Sequence, residues 1–359
     1  MVEVDFLAAS QSKSADAILI RVGTFSYDAP SSNQQKVILI DSGYAACSEK
    51  IKEHLRRYYG KLHIDYVFIT HPDRDHIAGF NALLDDETVS IGHVFIHDPW
   101  EHCKEIFKRD SDGRRTRKSV ERKIDDAFEN LGDVLEKLDS RNIPHEECFA
   151  GDFELVDDYV IDVLGPSEDY YKILVKDFVL ESNPSQGGES VYEEWPTYAR
   201  SDDKCFLNEP TTSPKNRTSM ILLLSRYTGD EQEPLFLFTG DAGVDSLKSA
   251  YRCATDLLIN LRGLQKFQLP HHGSVKNMSW DVLKKFNAET YVVSASSQED
   301  QHPSKPLINY IVGRLNKTVL CATDDYQLCI RFDGPPSRGW ISARKMEKFL
   351  TLKKLKGDV

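Results

Sequence analysis

The stretch DYVFITHPDRDHIAGF, residues 65–80, sets an apolar run, Tyr66 to Ile69, against four donors packed into six residues: His71, Asp73, Asp75 and His76. Divalent cations take lone pairs from imidazole and carboxylate at about 2 Å. In a tight loop after a buried strand, His71 and Asp73 can face one ion while Asp75 and His76 face another. The same pattern recurs downstream: LFLFTGD runs apolar and stops at Asp241, KFQLPHHGS stops at His271 and His272, and VILIDSG ends on Asp41. A carboxylate such as Asp241 can bridge two ions, and a two-metal centre holds them roughly 3.5–4 Å apart with a hydroxide between them. Asp41 reads as orienting a ligand histidine rather than binding metal. Singly, each piece has a plainer reading: His-x-Asp as a surface loop, Gly-Asp as a turn, two adjacent histidines as nothing. A buried run followed by a donor, four times in chain order, favours a metal centre.

Those donors need strands to deliver them. Short runs rich in Val, Ile, Leu and Phe, among them AILIRVG, KVILID, DYVFIT, HVFIH, YVIDVLG, SMILLLSRY, LFLFTG, TYVVSAS and TVLCAT, carry apolar residues on both parities, as strands covered on both faces do. Amphipathic helices lie between them. Residues 48–59 open on Ser48 as a capping serine. Residues 119–141 place Val120, Ile124, Phe128, Leu131, Leu135 and Leu138 on one stripe, and 279–287 and 303–316 follow the same logic. Strands and helices interleave without strict alternation, which predicts sheets with helices outside.

The chain has 359 residues, 40% of them hydrophobic, enough for a substantial core. A formal charge of −12 argues against coating duplex nucleic acid by charge alone, although bound cations reverse the local sign at a site. Seven cysteines without a CxxC pair read as reduced, mostly buried thiols. No signal-like N-terminus and no run long enough to span a membrane are present, so the expectation is a soluble cytoplasmic protein. Two segments look inserted. Residues 100–145 carry the long helix and the run KRDSDGRRTRK (108–118), with six basic and two acidic residues; it is a solvated loop or a patch for a polyanion. Residues 175–213 form a long loop, a lid or a surface for a protein partner. Residues 1–345 read as one domain and 346–359 as a basic tail.

At these residues the sequence resembles the metallo-β-lactamase superfamily, whose signature His-x-His-x-Asp-His appears here with Asp73 in place of the second histidine. That variant is similar to the branch containing the ComEC-type hydrolase domain of competence DNA uptake. VLGPSE, NRTSMILLL, FTGDAG, LPHHGS, QHPS and CATDDYQLCIRF follow in that branch's order. The resemblance implies a four-layer αβ/βα sandwich, a standalone hydrolase, and two divalent metal ions, zinc or manganese. It implies His71, Asp73, Asp75, His76, Asp241 and one of the 271–272 pair as metal ligands. His271 is preferred as nearer the strand end, and the sequence leaves His272 open. Asn216 stands where many relatives have a histidine, and reads as a hydrogen-bonding loop residue more than a ligand. His302 matches a histidine expected near the substrate, or else simply opens a helix before Pro303. Replacing imidazole by carboxylate hardens the site and favours manganese or magnesium more than an imidazole-rich site would.

The implied chemistry is hydrolysis by a hydroxide shared between two metals. A phosphodiester in accessible DNA leads, with Asp75 or Asp241 taking or orienting the proton and His302 or His272 serving a phosphate oxygen or the leaving group. Arg74, Ser274 and Lys276 stand beside the motifs and could steady a phosphate chain. The alternatives are a small-molecule hydrolase (lactone, thioester, β-lactam or cyclic nucleotide) and a partner-bound sensor subunit. DNA processing or antiviral defence would suit the first of these by analogy only.

Overall fold

The computed structural model describes residues 1–7, 13–26, 29–30, 34–102, 122, 124–125, 128–180, 212–228, 231–296, 302–322 and 328–332. The basic run 108–118, residues 181–211 of the long loop, Val120, Cys103, Cys205 and the tail 346–359 lie outside them.

Two seven-stranded sheets face each other. In the first, β1 (Val2–Phe6), β2 (Ala17–Thr24), β3 (Gln34–Ser42), β4 (His63–Phe68), β5 (Ser90–Phe95), β6 (His145–Glu146) and β14 (Leu328–Arg331) lie in the order β14-β1-β2-β3-β4-β5-β6. In the second, β7 (Phe153–Val156), β8 (Tyr159–Gly165), β9 (Ile221–Thr228), β10 (Glu231–Phe238), β11 (Lys266–Gln268), β12 (Thr290–Ser294) and β13 (Thr318–Ala322) run β13 to β7 in steps of one.

The doubly apolar strands explain the layering. In β3, Val37 and Leu39 pack beneath helices while Ile38 and Ile40 meet the other sheet. In β9, Ile221 and Leu223 face helices while Leu222 and Leu224 face inward. Side chains alternate along a strand, so each sheet has an inner and an outer core. Three large apolar clusters result, and they separate four layers. The outer layers are built by α1 (Cys47–His54), α2 (Arg74–Leu84) and α3 (Glu129–Ser140) on one side, and α6 (Val244–Asp256), α7 (Trp280–Phe286) and α8 (Lys305–Gly313) on the other. Two further helices, α4 (Glu168–Leu180) and the single turn α5 (Pro214–Arg217), stand before β9. The expected mixed α/β sandwich is the observed fold.

Three helix expectations need correction. Ser48 does not cap α1: the N-cap is Ala46, and the Ser48 hydroxyl sits inside the first turn, donating to the Ala45 carbonyl at 2.8 Å. Residues 55–59 continue as a π turn rather than as α-helix. The stripe proposed over 119–141 breaks at Phe128, whose φ of −122° leaves the helical region and whose carbonyl starts α3 by accepting from Leu131 and Gly132. Its apolar spacing survives the break, because Ile124, Phe128, Leu131 and Leu138 remain buried in one cluster. The five described cysteines among the seven are free thiols, four of them buried.

What positions the functional end is the docking of α2 on the end of β3. Ser42 Oγ donates to the His76 carbonyl and accepts from the Phe80 N–H, both at 2.7 Å. Gly79 makes this possible: a Cβ there would stand 2.0 Å from the Ser42 carbonyl oxygen. Gly79→Ala must therefore push α2 off the strand, and thermal unfolding should show a loss of about 1–3 kcal/mol, the usual cost of overpacking. Unchanged thermal stability would contradict this docking.

Candidate metal centre

The parallel strands β3 and β4, and the parallel set β10, β11 and β12, release their chains at one edge of the sandwich. Cross-sheet bonds tie that edge together: Met220 N–H donates to the Thr70 carbonyl at 2.9 Å and Gln268 Nε2 to Asp16 Oδ2 at 3.0 Å. Asp73 is the N-cap of α2, so Asp75 and His76 fall in its first turn. The turn after β10 passes through Gly240 at φ +48°, where any Cβ would lie 2.6 Å from Thr70 Oγ1. It thereby brings Asp241 up to the HPDRDH loop.

His71 Nε2 lies 3.5 Å from Asp73 Oδ2 and 3.6 Å from Asp241 Oδ2. His76 Nε2 lies 3.4 Å from Asp241 Oδ1 and 3.8 Å from Asp75 Oδ2, and His272 Nε2 lies 3.3 Å from Asp75 Oδ2. Two triads with donor atoms close enough to share an ion emerge, His71–His76–Asp241 and Asp75–His76–His272. His71 Nε2, His76 Nε2 and Asp241 Oδ1 are buried and make no hydrogen bond. Native proteins rarely leave buried polar atoms unpaired, and three of them converging on one point fit a divalent cation.

Each ring is locked from behind. Asp41 Oδ2 accepts from His76 Nδ1 at 2.7 Å, so the orienting contact expected of Asp41 is present. Thr70 gives its own hydroxyl hydrogen to Asp41 Oδ2 and accepts from His71 Nδ1 at 3.1 Å. His272 Nδ1 donates to the Ser294 carbonyl at 3.0 Å, and His271 Nδ1 to Asn277 Oδ1 at 3.2 Å. The Asn277 amide is itself fixed, since its Nδ2 donates to the Asp241 and Ala242 carbonyls. With every Nδ1 a donor, each neutral ring presents its lone pair on Nε2, toward the centre.

Both adjacent histidines arrive. Their φ values of 49° and 54° turn the chain through the left-handed region, so the divergence of neighbours in extended backbone does not apply. His272 joins Asp75 and His76. His271, one-third exposed at its side chain, faces the other carboxylate, with Nε2 3.6 Å from Asp241 Oδ2. His302 stands beside the pair, its ring centre 5.3 Å from that of His271 and 6.2 Å from that of His272. Asn216 Oδ1 accepts from the Ser213 hydroxyl at 2.6 Å and closes the α5 turn, as a loop residue does. Ser274 is not a phosphate contact: it is fully buried, and its hydroxyl accepts from the Lys276 N–H at 3.2 Å. Arg74 is exposed.

Sequence reasoning missed Thr70, Asp16, Asn277 and Lys215. Asp16 accepts from Gln268 Nε2 and from the Ser294 hydroxyl, and lies 4.0 Å from His272 Nδ1. Lys215 pairs with Asp73 Oδ1. Thr70 had the only legible signal, its place between the strand and His71. A separate buried cluster, Glu3, Asp5 and Cys329, already has its charge answered. Arg21 bonds Glu3 at 3.0 Å, while His54 and Tyr59 hold Asp5 at 3.0 and 2.6 Å.

The electrostatics of the centre favour cations. Burial pushes Asp241 up, yet His271, His76 and His71 outweigh it and hold the carboxyl well below its ordinary value. Burial pushes His76 down, but the carboxylates of Asp241, Asp41 and Asp75 carry it well above 6.5. Burial likewise opposes the charge on His272, and its hydrogen bond to Asp75, with Asp16 and Asp241 nearby, raises it to about 9.

A mixed α/β fold of two facing sheets with a His/Asp cluster at their strand ends is consistent with the metallo-β-lactamase sandwich. Residues 32–147 match the family model of the metallo-beta-lactamase superfamily. Among solved structures it is similar to the metallo-beta-lactamase fold protein YhfI from Bacillus subtilis, at 9% identity and a TM-score of 0.46, over 92% of this chain and 99% of that one. It is similar to a mutant of the CmlA beta-hydroxylase at 9% identity and TM-score 0.46, over 92% of this chain and 54% of that one. A metallo-beta-lactamase from Cronobacter sakazakii follows at 10% identity and TM-score 0.32, over 70% and 76%. The fold assignment stands on the sheets and the family match rather than on these distant likenesses. Curated proteins give no match. Among the described residues no helix is long and apolar enough to cross a membrane.

In the metal-free protein His272 holds its proton at pH 7. A cation taking Nε2 must displace it, so titration calorimetry in buffers of differing ionisation enthalpy should read at least one proton released per chain on metal binding at pH 7. The raised imidazole also stabilises the metal-free fold fully below pH 6.5, and that contribution is lost as pH rises through about 9. Metal uptake without proton release would remove His272 from the ligand set.

Proposed function

We propose that this chain is a metal-dependent hydrolase of phosphodiesters. In this reading His71, Asp73, Asp75, His76, Asp241 and His272 would hold two divalent cations, zinc or manganese, and His271 stands at the outer edge of the cluster. The carrying observation is the convergence of buried, unbonded Nε2 and Oδ atoms of His71, His76 and Asp241. When bound, such cations supply Lewis acidity toward an anionic oxygen and bring the pKa of a water near neutrality.

The chain's own residues do the rest. Asp41, Thr70, Ser294 and Asn277 hold the imidazoles in one tautomer, so the site is organised before any ligand arrives. Asp75, about a quarter exposed at its side chain, accepts or orients the proton of the attacking water. His302, beside His271 at the edge of the centre, serves a phosphate oxygen or the departing oxygen. Three carboxylates among the donors make a hard, oxygen-rich site. That composition suits phosphoryl substrates, for which positioning and electrostatics do most of the catalytic work. The likeness to the ComEC-type branch points the same way, to accessible DNA.

The test is a panel: labelled oligonucleotides, bis(p-nitrophenyl) phosphate, a cyclic nucleotide and a lactone, each with manganese or zinc. Diester cleavage by the wild type is expected. Asp75→Ala and Asp241→Asn should lower kcat by about a thousandfold, within the range seen when a principal electrostatic group is removed. Elemental analysis should find two ions per wild-type chain and fewer in Asp241→Asn. Cleavage of the lactone alone would replace this reading with a small-molecule hydrolase. Full metal content with no hydrolysis of any substrate would favour a sensor subunit.

A further inference from the structure

We propose that Lys215 forms an anion subsite beside the metal centre and takes a phosphoryl oxygen of the bound substrate. The chemical class of that substrate rests on the phosphodiester reading; the geometry does not. The short turn α5, capped by Ser213 whose side chain accepts from the Asn216 N–H, leads into β9 and carries Lys215 to the mouth of the site. There the ammonium pairs with Asp73 Oδ1. The other oxygen of the same carboxylate, Oδ2, lies 3.5 Å from His71 Nε2. One carboxylate is thus shared between the cation-binding centre and a fixed side-chain cation. An anion drawn to the centre at this side arrives within reach of Lys215.

The ammonium has capacity to spare. It carries three N–H donors. One is engaged by Asp73, and the others have no partner among the described residues. The side chain is 20% exposed, so it is held but reachable. Its underside is apolar, with Nζ 5.7 Å from the centre of the Phe128 ring. The neighbouring cation is directed elsewhere: Arg217 Nε donates to the Tyr170 hydroxyl at 2.9 Å, and its Nη2 approaches Asp245 at 4.0 Å. A plainer role for Lys215 would be to neutralise Asp73 alone. In that case its loss would weaken metal binding and leave the affinity of the loaded centre for anions unchanged.

The two roles separate in one experiment on the metal-loaded full-length protein, with inorganic phosphate as the probe and calorimetry or competition as the readout. Lys215→Met should keep the wild-type metal content and bind phosphate about 10- to 100-fold more weakly, the size of one charge-assisted contact. Lys215→Arg should recover most of the affinity. Wild-type phosphate affinity in Lys215→Met would overturn the subsite, as would a loss of phosphate binding that merely follows lost metal. The readout does not depend on turnover. If no phosphodiester is cleaved but Lys215→Met still loses phosphate, the subsite stands and the substrate reading falls.

Discussion

The functional end of this fold hangs on one buried carboxylate. Asp41 accepts from the Thr70 N–H at 2.8 Å, from the Thr70 hydroxyl and from His76 Nδ1, both at 2.7 Å. Through Thr70 it reaches His71 as well. A carboxylate at 1% exposure is costly unless fully hydrogen-bonded, and here every bond that satisfies it also aims a donor. Its own φ of +52° lies in the left-handed region, where a side chain other than glycine is strained by roughly 1–3 kcal/mol. His271 and His272 share that conformation. Three of the eight described non-glycine residues with positive φ thus lie at this edge, where side chains point in directions that regular strands forbid.

Charge gives the same edge a second constraint. Asp16, Asp41 and Asp241 are buried there, and Asp73 and Asp75 lie at the rim. Without cations, protonated imidazoles answer them: His76 and His272 are both raised above 6.5 despite burial. Lys215 answers Asp73, whose carboxyl is held below its ordinary range by that ammonium and by His71, against the opposing effect of burial. The metal-free site therefore holds protons in the places where ions would sit. Metal affinity and pH are coupled through the same rings.

Much of this was legible in the sequence. Sheets with helices outside followed from doubly apolar runs, the four-layer sandwich from the family resemblance, and the cluster from runs that stop on a donor, because a strand end is where the chain can leave the core and still stay beside it. The illegible parts share a cause. Lys215 lies far in sequence from Asp73 and Asn277 from Asp241, and their residue types are common on any surface. Asp16 precedes β2, and only the meeting of two sheets brings it to Gln268 and Ser294. Ser48 looked like a cap because serine before an apolar stripe usually is one; the cap lies two residues earlier, at Ala46, and the hydroxyl turns back to Ala45. The stripe over 119–141 kept its spacing through a break, since burial constrains which side chains face inward and not the continuity of the backbone.

The adjacent histidines show where pattern reasoning ends. Treating His271 and His272 as alternatives assumes extended or helical backbone, in which neighbours diverge. Two consecutive left-handed residues remove that assumption. Gly273 then follows at φ +83°, and Ser274 returns the chain to an extended conformation. Within this turn one ring is anchored to β12 through Ser294, and the other to Asn277, which is itself bonded to the Asp241 backbone. The anchors lie on different elements, so the two rings approach different oxygens. His272 meets the Asp75 carboxylate and His271 that of Asp241. A pair that reads as redundant in sequence thus serves both sides of one centre, and the tightness of the turn makes that possible.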